Sequence, residues 1–148
     1  MEDQSGFDWE DRYLLGYAPM DETHREFVEL VNALLTVDAA ALPAALDAFA
    51  AHAEAHFAQE NDWMVAEDFP PRDCHIDEHA KVRASVLEVR EELAAGNTEI
   101  VRELAIALKE WFPAHADYMD SALSTWMVKR AHAGKPLIFR RDGGKSKD

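Results

Sequence analysis

The chain has 148 residues and a single cysteine, Cys74, so it is long enough to bury a core and cannot form a disulfide within itself. Its 29 acidic and 15 basic side chains give a net charge of -14, which repels phosphate backbones and argues against nucleic-acid binding. The N-terminus lacks the features of a secretory signal, and no apolar run approaches the ~20 residues of a membrane span. We therefore expect one cytoplasmic domain spanning residues 1–148, with no membrane partner.

The first two predicted helices follow an extended N-terminal arm. Helix one covers about residues 21–37, because Asp21 is a favourable N-terminal cap and His24 starts an apolar stripe at helical spacing. Helix two covers about residues 42–67, and His56 lies on its apolar stripe. Each of these helices places a histidine among positions expected in the core.

The last two predicted helices have the same character. Helix three covers about residues 73–95, with Asp73 as its cap and two histidines at the start of its apolar seam. Helix four covers about residues 98–133 and precedes a short C-terminal tail, residues 134–148. Short connections between long amphipathic helices favour an all-α fold, an up-down-up-down antiparallel four-helix bundle.

Two pairs of potential metal ligands lie four residues apart in this arrangement. His56 and Glu60 form one pair on helix two, and His75 and His79 form the other on helix three. Four residues correspond to about 40° of net rotation on an α-helix, so the members of each pair share a face. The up-down-up-down order brings both pairs to the same end of the bundle as the histidine of helix one.

Helix four offers a less regular pair. His115 and Asp120 are five residues apart, which is about 140° on an α-helix, so spacing alone does not place them on one face. Pro113 lies inside the same predicted helix, where a proline removes a hydrogen bond and kinks the backbone. We expect this kink to change how the following turns face the core.

The candidate ligands are five imidazoles and two carboxylates: His24, His56, Glu60, His75, His79, His115 and Asp120. They are too many for one tetrahedral zinc and include no thiolate set, but they suit two five- or six-coordinate irons bridged by carboxylates. A ferritin-like oxidase is disfavoured because the chain contains no Glu-x-x-His. A zinc-protease helix is disfavoured because no glutamate directly follows the first histidine of His-Ala-Glu-Ala-His or His-Ile-Asp-Glu-His.

The chain resembles the hemerythrins, in particular their bacterial single-domain members. The resemblance is carried by Phe7-Asp8-Trp9, Leu15-Gly16, Met20-Asp21 with His24, His56-Phe57 with Glu60, His75 with His79, and Trp111 with His115 and Asp120. It implies a centre of two non-haem iron ions with an oxo or hydroxo bridge. By the same resemblance, the last three histidines would hold one iron and the first two the other. Glu60 and Asp120 would bridge them, and the family pattern selects Asp120 rather than Asp117.

The resemblance implies reversible dioxygen binding rather than catalysis, for oxygen storage, transport or delivery to an oxygen-using enzyme. Phe57, Trp111 and Phe112 would line the oxygen pocket, and Phe112 replaces the leucine that is common there. His52, one turn before His56, is expected beside the ligands rather than among them.

Two alternatives use the same residues. A di-iron enzyme or sensor could act on peroxide, nitric oxide or ferrous iron with an electron donor, and turnover with a reductant would identify it. Alternatively, zinc or iron could only stabilise the bundle, in which case no exogenous ligand would bind.

Overall fold

The computed structural model describes residues 6–131, and this part of the chain is helical apart from its N-terminal arm and short connections. The helices are α1 (Ala18–Thr36), α2 (Leu42–Ala66), α3 (Arg72–Ala94), α4 (Glu99–His115) and α5 (Ser121–Ala131), with a π-helical turn (Ala116–Asp120) joining the last two. Short 3-10 turns lie at Asp11–Tyr13 and Ala39–Ala41. The predicted tail and the last two residues of predicted helix four lie outside the described residues.

The helices form a closed ring of neighbours. Helix α1 packs against α2, α2 against α3, and α3 against α4, while α4 also packs against α1. Because connections of four or five residues join them, consecutive helices run antiparallel. The predicted all-α four-helix bundle is confirmed. In the described part of the chain, no helix combines the length and apolar character that crossing a membrane requires.

The start of α1 differs from the sequence-based expectation. The helix begins at Ala18 rather than at Asp21, with Pro19 in its first turn. The Asp21 carboxylate accepts hydrogen bonds from the backbone N–H groups of Leu15, at 2.8 Å, and Gly16, at 3.1 Å. Asp21 therefore fastens the N-terminal arm to the helix instead of capping it.

Helix α3 also starts one residue before its predicted cap. It begins at Arg72, so Asp73 lies inside the first turn. At its other end Gly96 adopts a φ of 103°, a left-handed conformation that glycine reaches without strain. The Gly96 N–H donates to the Leu93 carbonyl at 2.9 Å, which closes the helix.

Two apolar clusters fill the bundle, and a polar layer lies between them. The larger cluster draws residues from the arm and the four long helices, including Phe27, Phe49 and Leu108. The smaller cluster contains Met20, Met64, Phe69, Leu123 and Met127. Met20 and Phe27 belong to different clusters although they lie seven residues apart on α1. Of the residues between them on that helix, only His24 is buried, and it lies in the intervening layer.

The backbone after Pro113 departs from the predicted regular α-helix. Residues Ala116–Asp120 form a π-helical turn, so the prediction of one α-helix through this segment is wrong. Hydrogen bonds in a π-helix close over five residues instead of four, which brings residues five apart towards a common face. Single π-helical turns are rare and occur frequently at functional sites.

Candidate metal centre

The polar layer consists of ionisable side chains that are almost completely buried. None of the seven exposes more than 5% of its surface. They are the residues selected from the sequence: His24, His56, Glu60, His75, His79, His115 and Asp120. Buried ionisable groups are costly unless partners compensate them, so their contacts determine the chemistry of the layer.

Regular helix geometry places five of these residues. His24 lies on the buried face of α1. His56 and Glu60 occupy successive turns of α2, and His75 and His79 occupy successive turns at the start of α3. Residues four apart lie above one another on an α-helix, so both pairs turn towards the same layer.

The π-helical turn places Asp120. His115 ends α4, Asp120 ends the turn, and His115 Nε2 lies 3.2 Å from Asp120 Oδ1. The angular argument against this pair assumed an α-helix, and the wider turn removes that assumption. Asp117, the other carboxylate considered, is exposed. The structure therefore brings Asp120, and not Asp117, into the layer.

Three histidines gather around one oxygen of each carboxylate, and we call them the three-histidine group: His75, His79 and His115. His75 Nε2 lies 2.9 Å from Asp120 Oδ1, the same oxygen that His115 approaches. His79 Nε2 lies 3.2 Å from Glu60 Oε1. Five side chains from α2, α3, α4 and the π-helical turn thus place possible ligand atoms within 4.8 Å of one another.

The other two histidines, the two-histidine group, gather around the opposite oxygens. His24 Nε2 lies 3.2 Å from Glu60 Oε2 and 3.1 Å from Asp120 Oδ2. His56 Nε2 lies 3.0 Å from Glu60 Oε2. Both carboxylates consequently lie between the two groups of imidazoles.

Several of these close approaches are not hydrogen bonds. His75 Nε2, His79 Nε2, Glu60 Oε1 and Asp120 Oδ1 have no hydrogen-bond partner in the described part of the chain. Nevertheless, His75 Nε2 lies 2.9 Å from Asp120 Oδ1, and His79 Nε2 lies 3.2 Å from Glu60 Oε1. Short distances without hydrogen-bond angles are expected when donor atoms surround a common ion.

The two buried carboxylates of the layer also favour positive charge nearby. Burial lowers the pKa of His24, but interactions with Asp120 and Glu60 outweigh it and raise the pKa to about 10. Burial raises the pKa of Asp120, but interactions with His115 and His24 hold it well below its usual range. The buried carboxylates thus draw in protons or cations. Metal cations meet this need while leaving the imidazoles neutral, the form that binds metal.

Two neighbouring polar residues contact histidines of the layer from outside it. Asn61 Oδ1 lies 2.9 Å from His79 Nδ1, and Glu78 Oε1 lies 2.6 Å from His115 Nδ1. Such partners fix the ring orientation and tautomer of a metal-binding histidine. The sequence analysis missed both residues. Their only sequence signal is that Asn61 follows Glu60 and Glu78 precedes His79.

Aromatic rings pack directly on the imidazoles. Phe57 stacks on His79 and Trp111 stacks on His115, each with ring centroids 4.2 Å apart. Phe112 contacts the His24 ring edge-on at 5.3 Å. The three residues predicted to line an oxygen pocket therefore all border the layer.

Phe27 also borders the layer, although the sequence analysis did not assign it to the pocket. Its ring lies 5.8 Å from the His56 ring and stacks on Phe112 at 5.2 Å. Phe27 is fully buried. Its position on the apolar face of α1 predicts core packing, and nothing in the sequence indicates that it borders the site.

His52 lies beside the ligands and outside both groups. Its ring contacts the His56 ring edge-on at 5.5 Å, and its Nδ1 lies 3.7 Å from Glu26 Oε1. Burial and the neighbouring His56 lower the pKa of His52 to about 4. The structure therefore gives His52 contact with His56 but no position among the atoms that could hold a metal ion.

Comparisons with known proteins agree with this geometry. Residues 15–127 match the family model described as the hemerythrin HHE cation binding domain. A bacteriohemerythrin from Ralstonia nicotianae is 45% identical over 122 residues, covering 82% of this chain and 89% of that relative. A bacteriohemerythrin from Stenotrophomonas maltophilia is 26% identical over 140 residues, covering 92% of this chain and 90% of that relative. These matches confirm the resemblance inferred from the sequence: the chain belongs to the hemerythrin family.

Proposed function

We propose that the chain holds two non-haem irons in the polar layer and binds dioxygen reversibly. The observation that carries this proposal is the sharing of both carboxylates. Glu60 and Asp120 each direct one oxygen towards the three-histidine group and the other towards the two-histidine group. Carboxylates that bridge two cations need this arrangement, whereas a single cation does not. The mixed nitrogen and oxygen ligands suit iron.

The two positions differ in their number of protein ligands. Counting both carboxylates, the three-histidine group supplies five donors and the two-histidine group supplies four. The two-histidine group would therefore leave its metal position open to an exogenous ligand. When bound, the two irons would supply an open coordination position and the electrons that dioxygen binding requires.

The chain itself supplies a dry environment beside the two-histidine group. Phe27, Phe57 and Phe112 contact its imidazoles, and none of the three exposes more than 3% of its surface. An apolar wall disfavours water and charged ligands and admits a small neutral molecule. This environment favours reversible binding over reactions that consume protons, so we assign the chain no enzymatic activity.

The physiological role we propose is oxygen storage, transport or delivery in the cytoplasm. Dioxygen is the ligand, and an oxygen-using enzyme would be the recipient. An electron donor would be needed to restore the reduced irons after oxidation.

The test is an anaerobic iron determination on the reduced protein, followed by optical spectra on admitting air and on removing it. We expect two irons per chain and a visible charge-transfer band that appears with air and disappears on degassing. Rapid irreversible oxidation would instead favour an enzyme or sensor of peroxide, nitric oxide or ferrous iron. Bound metal without any response to air would indicate a structural role.

A further inference from the structure

A cavity lies beside the His75 imidazole. Its volume is about 400 Å³, and Phe69, Pro71 and Met119 supply much of its apolar wall. His75 forms part of the same wall, and its Nε2 lies in the polar layer. One side chain therefore separates the cavity from the proposed metal centre.

His75 lacks the outer partner that its two neighbours have. Asn61 Oδ1 accepts a hydrogen bond from His79 Nδ1, and Glu78 accepts one from His115 Nδ1. His75 Nδ1 is buried and has no hydrogen-bond partner in the described part of the chain. A histidine that binds metal through Nε2 carries a proton on Nδ1, and that N–H normally donates to an acceptor. His24 Nδ1 and His56 Nδ1 also lack a partner among the described residues, but of these three histidines only His75 lines the cavity.

The same cavity borders the N-terminus of α3. Pro71 and Cys74 line it, and the position before α3 carries no side-chain cap. The first N–H groups of a helix have no acceptor within the helix, and the helix dipole favours negative charge there. The hydroxyl of Tyr118, which also lines the cavity, can donate as well. The polar groups available to a ligand are thus mainly hydrogen-bond donors.

We propose that this cavity binds a small carboxylate with an apolar body. The carboxylate accepts hydrogen bonds from His75 Nδ1–H and from the N–H groups of Asp73 and Cys74, since the Arg72 N–H already donates to the Phe69 carbonyl at 3.3 Å. The apolar wall holds the body. The volume lies within the range of cavities that enclose small organic ligands.

Access to His75 Nδ1 requires a movement of the cavity wall. The atom is closed to water, so an acceptor reaches it by displacing a neighbour. Tyr118 is 79% exposed and has no hydrogen bond or ring contact among the described residues. Tyr118 is therefore a side chain of the wall that can rotate without losing such a contact.

Occupancy of the cavity would act on the metal centre through His75. This consequence rests on the proposed function, whereas binding itself does not. A carboxylate at Nδ1–H makes Nε2 a stronger donor to a bound metal. The bound carboxylate would therefore favour the oxidised irons and lower their reduction potential.

The test uses Cys74 as a reporter, because it is the only cysteine, is exposed and lines the cavity. Purified holoprotein is alkylated with iodoacetamide, with benzoate as the probe and benzyl alcohol as its neutral counterpart, and the modified fraction is followed by mass spectrometry. At a benzoate concentration about ten times its dissociation constant, alkylation should slow about tenfold. Benzyl alcohol at the same concentration should have little effect.

Two variants locate the site. Ala122→Phe fills the cavity from its exposed edge and should abolish protection by benzoate, whereas Ala84→Phe, at an exposed position elsewhere on α3, should leave it intact. Equal protection by benzyl alcohol, or no protection by either probe, would overturn the proposal. Protection that survives Ala122→Phe would also overturn it, since benzoate would then bind elsewhere, including at the metal. Iron content and air-dependent spectra of the same samples report separately on the proposed function.

Discussion

Substitution of Glu78 tests whether residues outside the polar layer strengthen metal binding. Its carboxylate reaches from α3 to His115 Nδ1 at 2.6 Å, while 35% of its side chain remains exposed. Glu78→Ala removes this acceptor without emptying a fully buried site. We expect weaker iron binding, because His115 loses the contact that fixes its ring orientation and raises its basicity.

The magnitude follows from the geometry of the contact. Loss of such a partner typically lowers metal affinity about 10–100-fold, or about 1.4–2.8 kcal/mol. A separation of 2.6 Å is typical of the stronger charge-assisted hydrogen bonds, so we expect Glu78→Ala near the upper end of this range. Glu78→Gln retains an acceptor oxygen but loses the charge, and its effect should be smaller.

The assay is anaerobic competition between the protein and a ferrous-iron chelator, with the Tm of the metal-free protein measured in parallel. Glu88→Ala is the matched control, since Glu88 is an exposed glutamate on the same helix. A role in metal positioning predicts a large loss of affinity with little change in the metal-free Tm. If Glu78→Ala and Glu88→Ala bind iron equally well, the reasoning is wrong.

Three further substitutions address the layer and its surroundings. His79→Ala should lose iron and lower the Tm because it removes a proposed ligand from the core; unchanged iron content would refute the assignment. His52→Ala should retain both irons and at most alter ligand kinetics, and loss of one iron would show that His52 is a ligand. Phe112→Ala should cost about 3–5 kcal/mol in denaturant unfolding. By opening space beside His24 it should also speed irreversible oxidation in air, and an unchanged rate of spectral decay would contradict the proposed role of the aromatic wall.

The sequence was sufficient for the bundle and for most of the site because both depend on one pattern. Apolar residues at helical spacing define the buried face of each helix, and the histidines occupy positions within those faces. Helical periodicity alone could therefore predict that His24, His56, Glu60, His75 and His79 are buried. The family resemblance was needed to divide them between two irons, and that division stays a proposal.

The placement of Asp120 could not be derived from periodicity. A calculation at 100° per residue assumes an unbroken α-helix, and the turn from Ala116 to Asp120 is π-helical. Pro113 indicated an irregularity but not its type, because a proline removes one hydrogen bond without determining which alternative the following residues adopt. That choice depends on contacts with other helices, which the local sequence does not contain.

The outer partners were missed for a related reason. Asn61 lies on α2 and serves a histidine of α3, while Glu78 lies on α3 and serves a histidine of α4. Neither pairing has a spacing within one helix, so no local rule identifies it. Exposed or half-buried polar residues are also common on helical surfaces, where most have no special role.

Burial of the layer links metal binding to folding. Two carboxylates and five imidazoles lie in the core, and apolar side chains of similar volume would commonly stabilise such a core as well or better. The cations proposed for this layer would compensate the buried carboxylates, so metal affinity contributes directly to the free energy of unfolding. The same ions would bind dioxygen at the coordination position that the two-histidine group leaves open. A layer that disfavours folding without metal is therefore explained by the chemistry that the metal supplies, and not by the stability of the bundle.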